Sequence, residues 1–568
     1  MFVNAWVNAY GVVVSAVNGI GMKLHTLANV VTNAMMSAVA TFTGQNIAAH
    51  RQDRVKGTLR VSVLCAMVFW GISVIICLFL PRAVFEIFTT DSEVLAMAPG
   101  FMLVQIVMYL SFALMCSPLG FINGVGHVNL NLIIAVADGV IARIGLAALG
   151  LCLGLHAELA PFPKWSEPRA ITKGPHEHLF ASYFAINSWS PNNRYVTVLE
   201  TDLNGRLPEP NERCTLGVVD LQDNNKFIPV TTTACWNFQE AAMAHWIDDD
   251  TFLFNDVRDG KFVTVVMNWK TKKEVRILPL PVSAVSEDRT WAVSINYARL
   301  SLTRPDYGYA GPGQDAREDV EWPEDDGLWV MDLKTGEHKL ILSVAQGRSL
   351  MPATKADPKK PGHPLAYYCH TIIQKDKEGS HIFFLARSVD WFDKKSHKAS
   401  RWHTTSFTVR KDGTELRRCF KDGWAGSHFN WAPDGSPKLL VTAAWDGHVK
   451  GEWARTAWSP VEFTVGEEEK VRRIGAGVLD WDWHCIYSPD GKFMSGDTYW
   501  TANNERPWVL VRLADGMTMP MGAFFVPEQY RQTYWRCDLH ARYRPDGKQI
   551  GFNSVHEGSR QVYLRDIR

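Results

Sequence analysis

The sequence predicts two joined structures: an N-terminal α-helical transmembrane segment of about five helices, then an all-β seven-bladed propeller. Residues 1–155 are mostly apolar with few charges, whereas residues 156–568 are rich in Trp, Asp, Gly, Lys and Arg. A histidine followed by a Pro-Asp-Gly turn recurs every 56 residues, at His428, His484 and His540. A chain of 568 residues is also too long for one ordinary domain. We predict membrane helices over 1–155, a linker over 156–175 and the propeller over 176–568.

The overall composition excludes several classes of function. Lys plus Arg and Asp plus Glu both number 59, so no bulk charge points to nucleic acid as a partner. The ten cysteines form no CxxC pair, which argues against a zinc ribbon or a disulfide framework. The sequence contains no P-loop, dinucleotide-binding fingerprint, GxSxG or HExxH motif. Nucleotide binding and serine hydrolysis are therefore not indicated.

Five apolar stretches in the first part reach the length of about 20 residues that a membrane-spanning helix needs. The link over 50–60 carries four basic side chains and is expected in the cytoplasm, whereas the link over 81–94 carries three acidic ones. Counting forward, the propeller would lie on the extracytoplasmic side of the membrane. The predicted spans are 2–22, 25–48, 59–80, 95–123 and 128–154.

The second part consists of short alternating strands separated by turns, which is typical of β structure. Seven units of roughly 50 residues, each with four strands, can be laid out along it, and this spacing favours a propeller. Asp-Gly turns supply the positive φ angles that tight hairpins need.

Each histidine of the repeat begins the first strand of its unit, and His370 stands in the same register 58 residues before His428. Four neighbouring blades would therefore direct imidazoles at one mouth of the central channel. Neutral imidazole is a common ligand of transition metals, and Asp538 is predicted to be a further ligand or to orient one. The alternative is that these histidines only pack. The predicted ligands of a divalent metal ion, Mn²⁺ or similar, are His370, His428, His484, His540 and Asp538.

Two further groups are candidates for the same site. His178 precedes the first long strand, and it either reaches the channel mouth or belongs to a simple loop. Arg299, Arg304 and Tyr307 lie in a long, aromatic-rich stretch over 294–311. Guanidinium groups beside aromatic rings suit a carboxylated sugar, and the alternative is a packed loop with ion pairs.

The text "SHFNWAPDG", "HCIYSPDGKFMSGDTY" and "RCDLHARYRPDGKQIGF" resembles the oligogalacturonate lyase family of TolB-like propellers. This resemblance implies metal-dependent β-elimination on short pectin fragments. It implies that Arg299 neutralises the substrate carboxylate, and that the base is His178 or a ring histidine that does not bind metal. The sequence departs from the family pattern at two positions, because Asp538 replaces a histidine and Trp535 replaces a glutamine.

The text "ATFTGQNIAAHRQDRVK" (40–56) and "FINGVGHVNLNLII" resembles part of the multidrug and toxin extrusion (MATE) family of cation antiporters. Those antiporters have about twelve helices in two lobes around a central site, so the resemblance covers part of one lobe. The fragment is then either a membrane anchor or a relic of gene fusion or misassembly.

Together these features predict a polysaccharide lyase that acts on an acidic oligosaccharide and contacts the membrane through residues 1–155. Two alternatives stay open: a non-catalytic propeller that binds a protein or glycan, and a fragment of a drug or cation antiporter.

Overall fold

The structure is a computed structural model, and it describes two ranges of the chain, 12–134 and 160–568. It divides into two units, Met1–Ala160, here called the helical segment, and Pro161–Arg568, here called the sheet domain. The ranges exclude short gaps at 90–91, 128, 131–132, 181–182, 184–185, 310, 312, 356–358, 361, 376–380, 401, 421–423, 445–457, 468–469, 476–477 and 532–533.

The described part of the helical segment contains helices α1 (Val12–Ala48), α2 (Gln52–Phe79), α3 (Pro81–Glu86) and α4 (Ser92–Val125). Two of them, α2 and the Met97–Val125 part of α4, are long and apolar enough to cross a membrane. The predicted spans 2–22 and 25–48 are joined instead in one helix from residue 12 onward. The separating Lys23 and Leu24 are both good helix formers, so nothing there breaks the helix. The predicted span 128–154 lies almost wholly outside the described residues.

Glycines let α4 approach α1 closely. A Cβ atom on Gly120 would lie 2.6 Å from the carbonyl oxygen of Met36, and one on Gly124 would lie 2.6 Å from that of Ala40. A larger side chain at either position would force the helices apart. Such contacts between small residues are typical of helices packed within a membrane.

The described residues of the sheet domain form seven antiparallel sheets, six of four strands and one of five. This arrangement is consistent with a propeller. The sheets are β2 (Glu177–Phe180), β3 (Tyr195–Thr201), β4 (Cys214–Asp220), β5 (Lys226–Thr233); β6 (His245–Trp246), β7 (Thr251–Arg258), β8 (Lys261–Asn268), β9 (Lys273–Leu278); β10 (Ala284–Val285), β11 (Trp291–Ser294), β12 (Gly327–Asp332), β13 (His338–Ser343); β14 (His363–Ile373), β15 (His381–Asp393), β16 (Lys398–Ala399), β17 (Trp402–Arg410), β18 (Arg417–Arg418); β19 (Ala425–Trp431), β20 (Lys438–Ala444), β21 (Trp458–Thr464), β22 (Arg472–Arg473); β23 (Trp483–Tyr487), β24 (Phe493–Thr498), β25 (Glu505–Arg512), β26 (Thr518–Phe525); and β27 (Arg542–Tyr543), β28 (Gln549–Ser554), β29 (Gln561–Asp566) with β1 (Arg169–Ala170).

Neighbouring sheets meet through their first strands, because β14 contacts β10 and β19, and β19 contacts β23. Short helices interrupt the strands at α5 (Tyr297–Ser301) and α6 (Val344–Gly347), and 3₁₀ turns lie at Arg348–Leu350 and Glu528–Tyr530. The first strands thus bring residues from different sheets to one central region.

The beginning of the sheet domain joins its end. Strand β1 pairs with β29, and Trp165 forms a bridge to Ile567. These residues lie inside 156–175, so the stretch predicted as a linker contributes a strand to the last sheet.

The hydroxyl of Thr172 stabilises this pairing of the first strand with the last. It donates a hydrogen bond to Oε1 of Gln561 at 2.7 Å and accepts one from the Val562 amide at 2.9 Å. We expect Thr172→Val to reduce the free energy of unfolding by about 1–3 kcal/mol, because it leaves a buried N–H without a partner. Denaturant unfolding followed by tryptophan fluorescence measures this loss. Thr518→Val on strand β26 is the control, and an equal loss there would contradict the assigned role.

Candidate metal centre

Three imidazoles from different sheets meet in the sheet domain. The ring centroids of His428 and His484 lie 4.2 Å apart, and those of His484 and His540 lie 4.1 Å apart. All three side chains are at least nine-tenths buried. The sequence repeat thus corresponds to a cluster in space, here called the histidine cluster (His428, His484 and His540).

The fourth predicted member of the set stands to one side. The ring of His370 packs 4.7 Å from that of Tyr307 and 5.6 Å from that of Tyr183. Its Nε2 atom lies 3.4 Å from the Tyr183 hydroxyl oxygen. His370 therefore borders the cluster behind two tyrosines.

The backbone is unusual at these positions. His370, His428 and His540 have φ angles of 57°, 40° and 41°, a region that histidine seldom occupies. The pairing register shifts at His370 in β14 and at His428 in β19, so each lies in a β-bulge. A bulge redirects a side chain out of the regular alternation, and strained residues of this kind concentrate at functional sites.

Two carboxylates that the sequence analysis did not predict orient the cluster. Nδ1 of His428 lies 2.8 Å from Oδ1 of Asp482, and Nδ1 of His484 lies 2.8 Å from Oδ2 of Asp497. Each carboxylate accepts the Nδ1–H of its imidazole and so leaves the lone pair on Nε2. A carboxylate behind a histidine is the usual support of a metal ligand.

The Nε2 atoms of His484 and His540 are buried and have no hydrogen-bond partner among the described residues. Such atoms are costly to bury, by about 1–3 kcal/mol each, unless a ligand satisfies them.

The protonation of the cluster is uneven. Burial lowers the pKa of His428 and lowers that of His540 well below its ordinary value, with the charge of His484 adding to the second effect. Burial also opposes charge on His484, but the Asp497 carboxylate outweighs it and raises the pKa of His484. Asp497 therefore favours the protonated form of His484, whereas burial favours the neutral form of the other two imidazoles.

Asp538 belongs to a buried chain of alternating charges. Its Oδ2 atom accepts a hydrogen bond from Nε of Arg536 at 3.0 Å, and its Oδ1 atom pairs with Arg506. Arg536 also contacts Asp306 at 3.3 Å. The two guanidinium groups, opposed by burial, hold the pKa of Asp538 well below its usual range. Asp538 is thus a permanent negative charge, 3.9 Å from Nε2 of His540.

These residues fit a divalent transition-metal ion. One donor atom each from His484, Asp538 and His540 can be chosen so that all lie within 4.8 Å of one another, and His428 packs against the first of them. Imidazole nitrogens with a carboxylate oxygen are typical ligands of such metals. A carboxylate has about four lone-pair sites, so Asp538 can serve a metal while it accepts from arginines.

Two predicted catalytic residues are fully engaged elsewhere. Arg299 is 1% exposed, and its guanidinium donates to five backbone carbonyl oxygens, including Ala366 at 2.6 Å and Arg317 at 2.7 Å. His178 has Nδ1 2.9 Å from Gln561 and Nε2 3.2 Å from Glu200. Both arrangements favour structural roles over the predicted contact with substrate and the predicted base. The fixed donors of Arg299 reflect loop packing that the sequence does not reveal.

The two residues predicted to bind substrate, Arg304 and Tyr307, lie near His370. Arg304 forms two hydrogen bonds of 2.9 Å to Asp306 and stacks over the Tyr307 ring at 4.3 Å. The Tyr307 hydroxyl lies 2.7 Å from that of Tyr183 and accepts from Arg536 at 3.0 Å. Arg304 thus offers a stacked, already neutralised cation, and Tyr307 a polar ring face next to His370.

The sequence analysis did not single out a further buried cation, whose charge acts on His370. Arg387 in β15 is 8% exposed, and its Nε and Nη1 atoms have no hydrogen-bond partner among the described residues. It lies over the Trp402 ring at 5.3 Å, and its charge helps burial to lower the pKa of His370 well below its ordinary value. In sequence it is one polar residue within a strand, so no pattern marks it.

A buried carboxyl group near this network gives a pH-dependent stability. Burial, with the charge of Asp306, raises the pKa of Glu240 from 4.5 to about 8. The folded protein therefore holds a proton that the unfolded chain releases, and stability falls as pH rises between these two values. We expect Glu240→Gln to remove this slope and to be the more stable form at pH 8 or above, by about 5 kcal/mol at most.

The measurement is the free energy of unfolding between pH 5 and pH 9, which is about the pH range over which the raised pKa of Glu240 changes the stability. The exposed Glu528→Gln variant is the control. Parallel pH profiles for the Glu240 variant and the natural protein would refute the assignment.

Comparison with known proteins agrees with both sequence resemblances. A family model described as MatE matches residues 1–149. Similar solved structures include an oligogalacturonate lyase in complex with manganese, at 17% identity over 72% of this chain and 97% of that one, with a TM-score of 0.46. An oligogalacturonate lyase from Vibrio parahaemolyticus is 14% identical over the same shares, with a TM-score of 0.44. TolB from Acinetobacter baumannii is 11% identical over 66% of this chain and 82% of that one, with a TM-score of 0.29. No curated protein matches the chain.

Proposed function

We propose that the sheet domain is a seven-bladed propeller carrying a metal-dependent polysaccharide lyase site. The substrate would be oligogalacturonate or a related acidic oligosaccharide. The helical segment would anchor the propeller to the membrane on its extracytoplasmic side. The observation that supports the site most is the histidine cluster, in which two imidazoles are oriented by aspartates and two Nε2 atoms have no hydrogen-bond partner among the described residues.

His428, His484, His540 and Asp538 would hold the divalent ion. When bound, the ion supplies positive charge that stabilises negative charge developing on the substrate. The aspartates 482 and 497 keep two of the imidazoles in the tautomer that ligation needs. Asp482 and Asp497 are added here to the residues predicted from the sequence.

The chemistry requires removal of a weakly acidic proton. A base takes the proton from C5 of the uronate, the C–H electrons form the C4–C5 double bond, and the C4–O bond breaks with the leaving oxygen taking up a proton. His370 is the candidate base, because burial keeps it neutral and it lies outside the metal set. Arg387 takes the carboxylate role predicted for Arg299, since its donors are unpaired. A paired carboxylate makes the adjacent C–H more acidic.

The experiment measures bound metal and product formation together. The full chain is purified in detergent, its metal content is determined by mass spectrometry, and trigalacturonate is followed by the ultraviolet absorbance of the unsaturated product. Metal with rising absorbance supports the lyase. Metal without product keeps the metal site and rejects this substrate. Absence of both would leave a non-catalytic propeller that binds a protein or glycan.

The match to MatE over residues 1–149 favours a second candidate, a part of a cation antiporter. The matched stretch covers about a quarter of this chain and includes both helices of the described residues that are long enough to span a membrane. Alternating access needs two repeats around a central site. Cation flux in liposomes that contain the full chain would support this role, and its absence in an oriented preparation would leave the anchor.

A further inference from the structure

Two guanidinium groups lie over one indole ring in the sheet domain. The Cζ atom of Arg387 is 5.3 Å from the centroid of the Trp402 ring, and that of Arg304 is 5.0 Å from it. The strand register explains the first contact, because Arg387 in β15 pairs with Thr404 of β17 and Trp402 stands two residues before Thr404 on the same face. Such diagonal neighbours are within reach of long and aromatic side chains.

The two arginines differ in what else holds them. Arg304 donates two hydrogen bonds of 2.9 Å to Asp306 and also lies over the Tyr307 ring at 4.3 Å. Arg387 forms no ion pair with the described residues, and its Nε and Nη1 atoms have no hydrogen-bond partner among them. Within that part of the chain, the ring of Trp402 is therefore the attractive partner for the charge of Arg387.

This contact suits a cation that is kept ready for a ligand. An indole attracts a cation more strongly than the other aromatic side chains do, and the attraction grows as water is removed. Arg387 is 8% exposed, so the contact lies largely out of water. A ring face takes up none of the five N–H donors of a guanidinium, and these donors match a carboxylate. Trp402 can thus fix the position of Arg387 without competing with a bound anion.

We propose that Trp402 is a positioning residue for Arg387, and that it makes the site prefer a free uronate to its methyl ester. The inference rests on the proposed function, in which Arg387 meets the substrate carboxylate. A methyl ester carries no charge, so it gains little from a well-placed cation, whereas the free acid gains the full attraction. Trp402 acts on this preference through Arg387.

The alternative is that Trp402 only packs against the core, which its partly buried ring does contact. A packing role would affect both substrates equally. The test therefore compares kcat/KM for trigalacturonate with kcat/KM for its methyl ester, using the full chain in detergent with Mn²⁺. We expect Trp402→Leu to lower the ratio of acid to ester about tenfold, as for loss of a cation–π contact out of water. Bound metal and kcat/KM for the ester should be unchanged.

Two single variants and one double variant sharpen this test. Trp402→Phe keeps an aromatic face and should restore most of the ratio. Trp391→Leu is the matched control, because Trp391 is a partly buried tryptophan of the same sheet with Lys360 over its ring at 5.7 Å, and it should leave the ratio unchanged. In Arg387→Met protein the ratio should already be low, and adding Trp402→Leu should lower it no further, since a residue that acts through another is not additive with it. An unchanged ratio in Trp402→Leu, an equal loss for both substrates, or additive losses in the double variant would overturn the proposal.

Calorimetry with D-galacturonate and its methyl ester separates this inference from the lyase assignment. Suppose that no product forms, yet galacturonate binds more tightly than the ester and both Trp402→Leu and Arg387→Met remove that preference. The role of Trp402 then stands and the lyase assignment fails. Absence of both product and preferential binding would overturn both. An active protein whose preference for the acid survives Trp402→Leu would overturn the role of Trp402 alone.

Discussion

Replacing His484 by alanine is expected to reduce bound metal to background and to abolish product formation while the fold persists. His484 contacts both other members of the histidine cluster, at ring distances of 4.2 and 4.1 Å. Its Nε2 has no other partner among the described residues, so alanine removes a metal ligand, and it also removes the Nδ1–H that the buried Asp497 carboxylate accepts. Asp497→Asn should have an intermediate effect, weakening metal binding about 10- to 100-fold, because loss of a carboxylate behind a ligand is typically of this size.

Metal per chain, by mass spectrometry after equilibration with Mn²⁺, checks both variants. His397→Ala, at an exposed histidine, is the matched control and should keep full metal and activity. If His484→Ala retained stoichiometric metal, the cluster would be a packing feature and the metal would have to bind elsewhere.

The repeat in the sequence predicted that the histidines would cluster, but it did not predict how they are arranged within the cluster. Regular alternation predicts where a strand side chain points, whereas His370 and His428 lie in bulges with positive φ. A bulge depends on the pairing with the next strand, and no local residue preference predicts it. This explains why His370 packs against two tyrosines while the other three histidines meet.

The aspartates that orient the histidines show which contacts can be predicted from the sequence and which cannot. Asp482 and Asp538 each stand two residues before a ring histidine, in "DWH" and "DLH". That spacing is visible in the sequence, yet Asp482 pairs with His428 of the preceding sheet rather than with its neighbour His484. Asp497 comes from the second strand of its sheet. Partners across sheets are fixed by tertiary packing, which spacing along the chain does not encode.

The arginines illustrate the same limit for function. Arg299 and Arg387 are both buried, and either could serve a carboxylate by residue type alone. Only the structure distinguishes them. The guanidinium N–H groups of Arg299 donate hydrogen bonds to backbone carbonyl oxygens, whereas Nε and Nη1 of Arg387 have no hydrogen-bond partner among the described residues. The aromatic surroundings of Arg299 in the sequence were the basis of its predicted role, and spacing alone could not distinguish the two arginines.

Arg387→Met is expected to reduce kcat/KM on trigalacturonate roughly 100-fold, the size typical of losing one preorganised donor to a developing negative charge. Bound metal should be unchanged, because Arg387 is not a ligand. The same variant should raise the free energy of unfolding by about 1 kcal/mol, since methionine removes buried N–H groups that have no partner. Gain of stability with loss of activity is the signature of a group retained for function.

Arg299→Met provides the opposite expectation at a matched buried arginine. It leaves five carbonyl oxygens without their donor, so we expect a loss of stability of about 3 kcal/mol or more. Steady-state kinetics and denaturant unfolding of both variants decide between the two residues. A destabilised Arg387→Met protein with unchanged kcat/KM would show that Arg387 supports the fold and that the substrate carboxylate, if one binds, is held by another cation. A stabilised but inactive Arg387→Met protein beside a destabilised Arg299→Met protein would assign the carboxylate to Arg387, because only a residue held for its ligand improves the fold when it is removed.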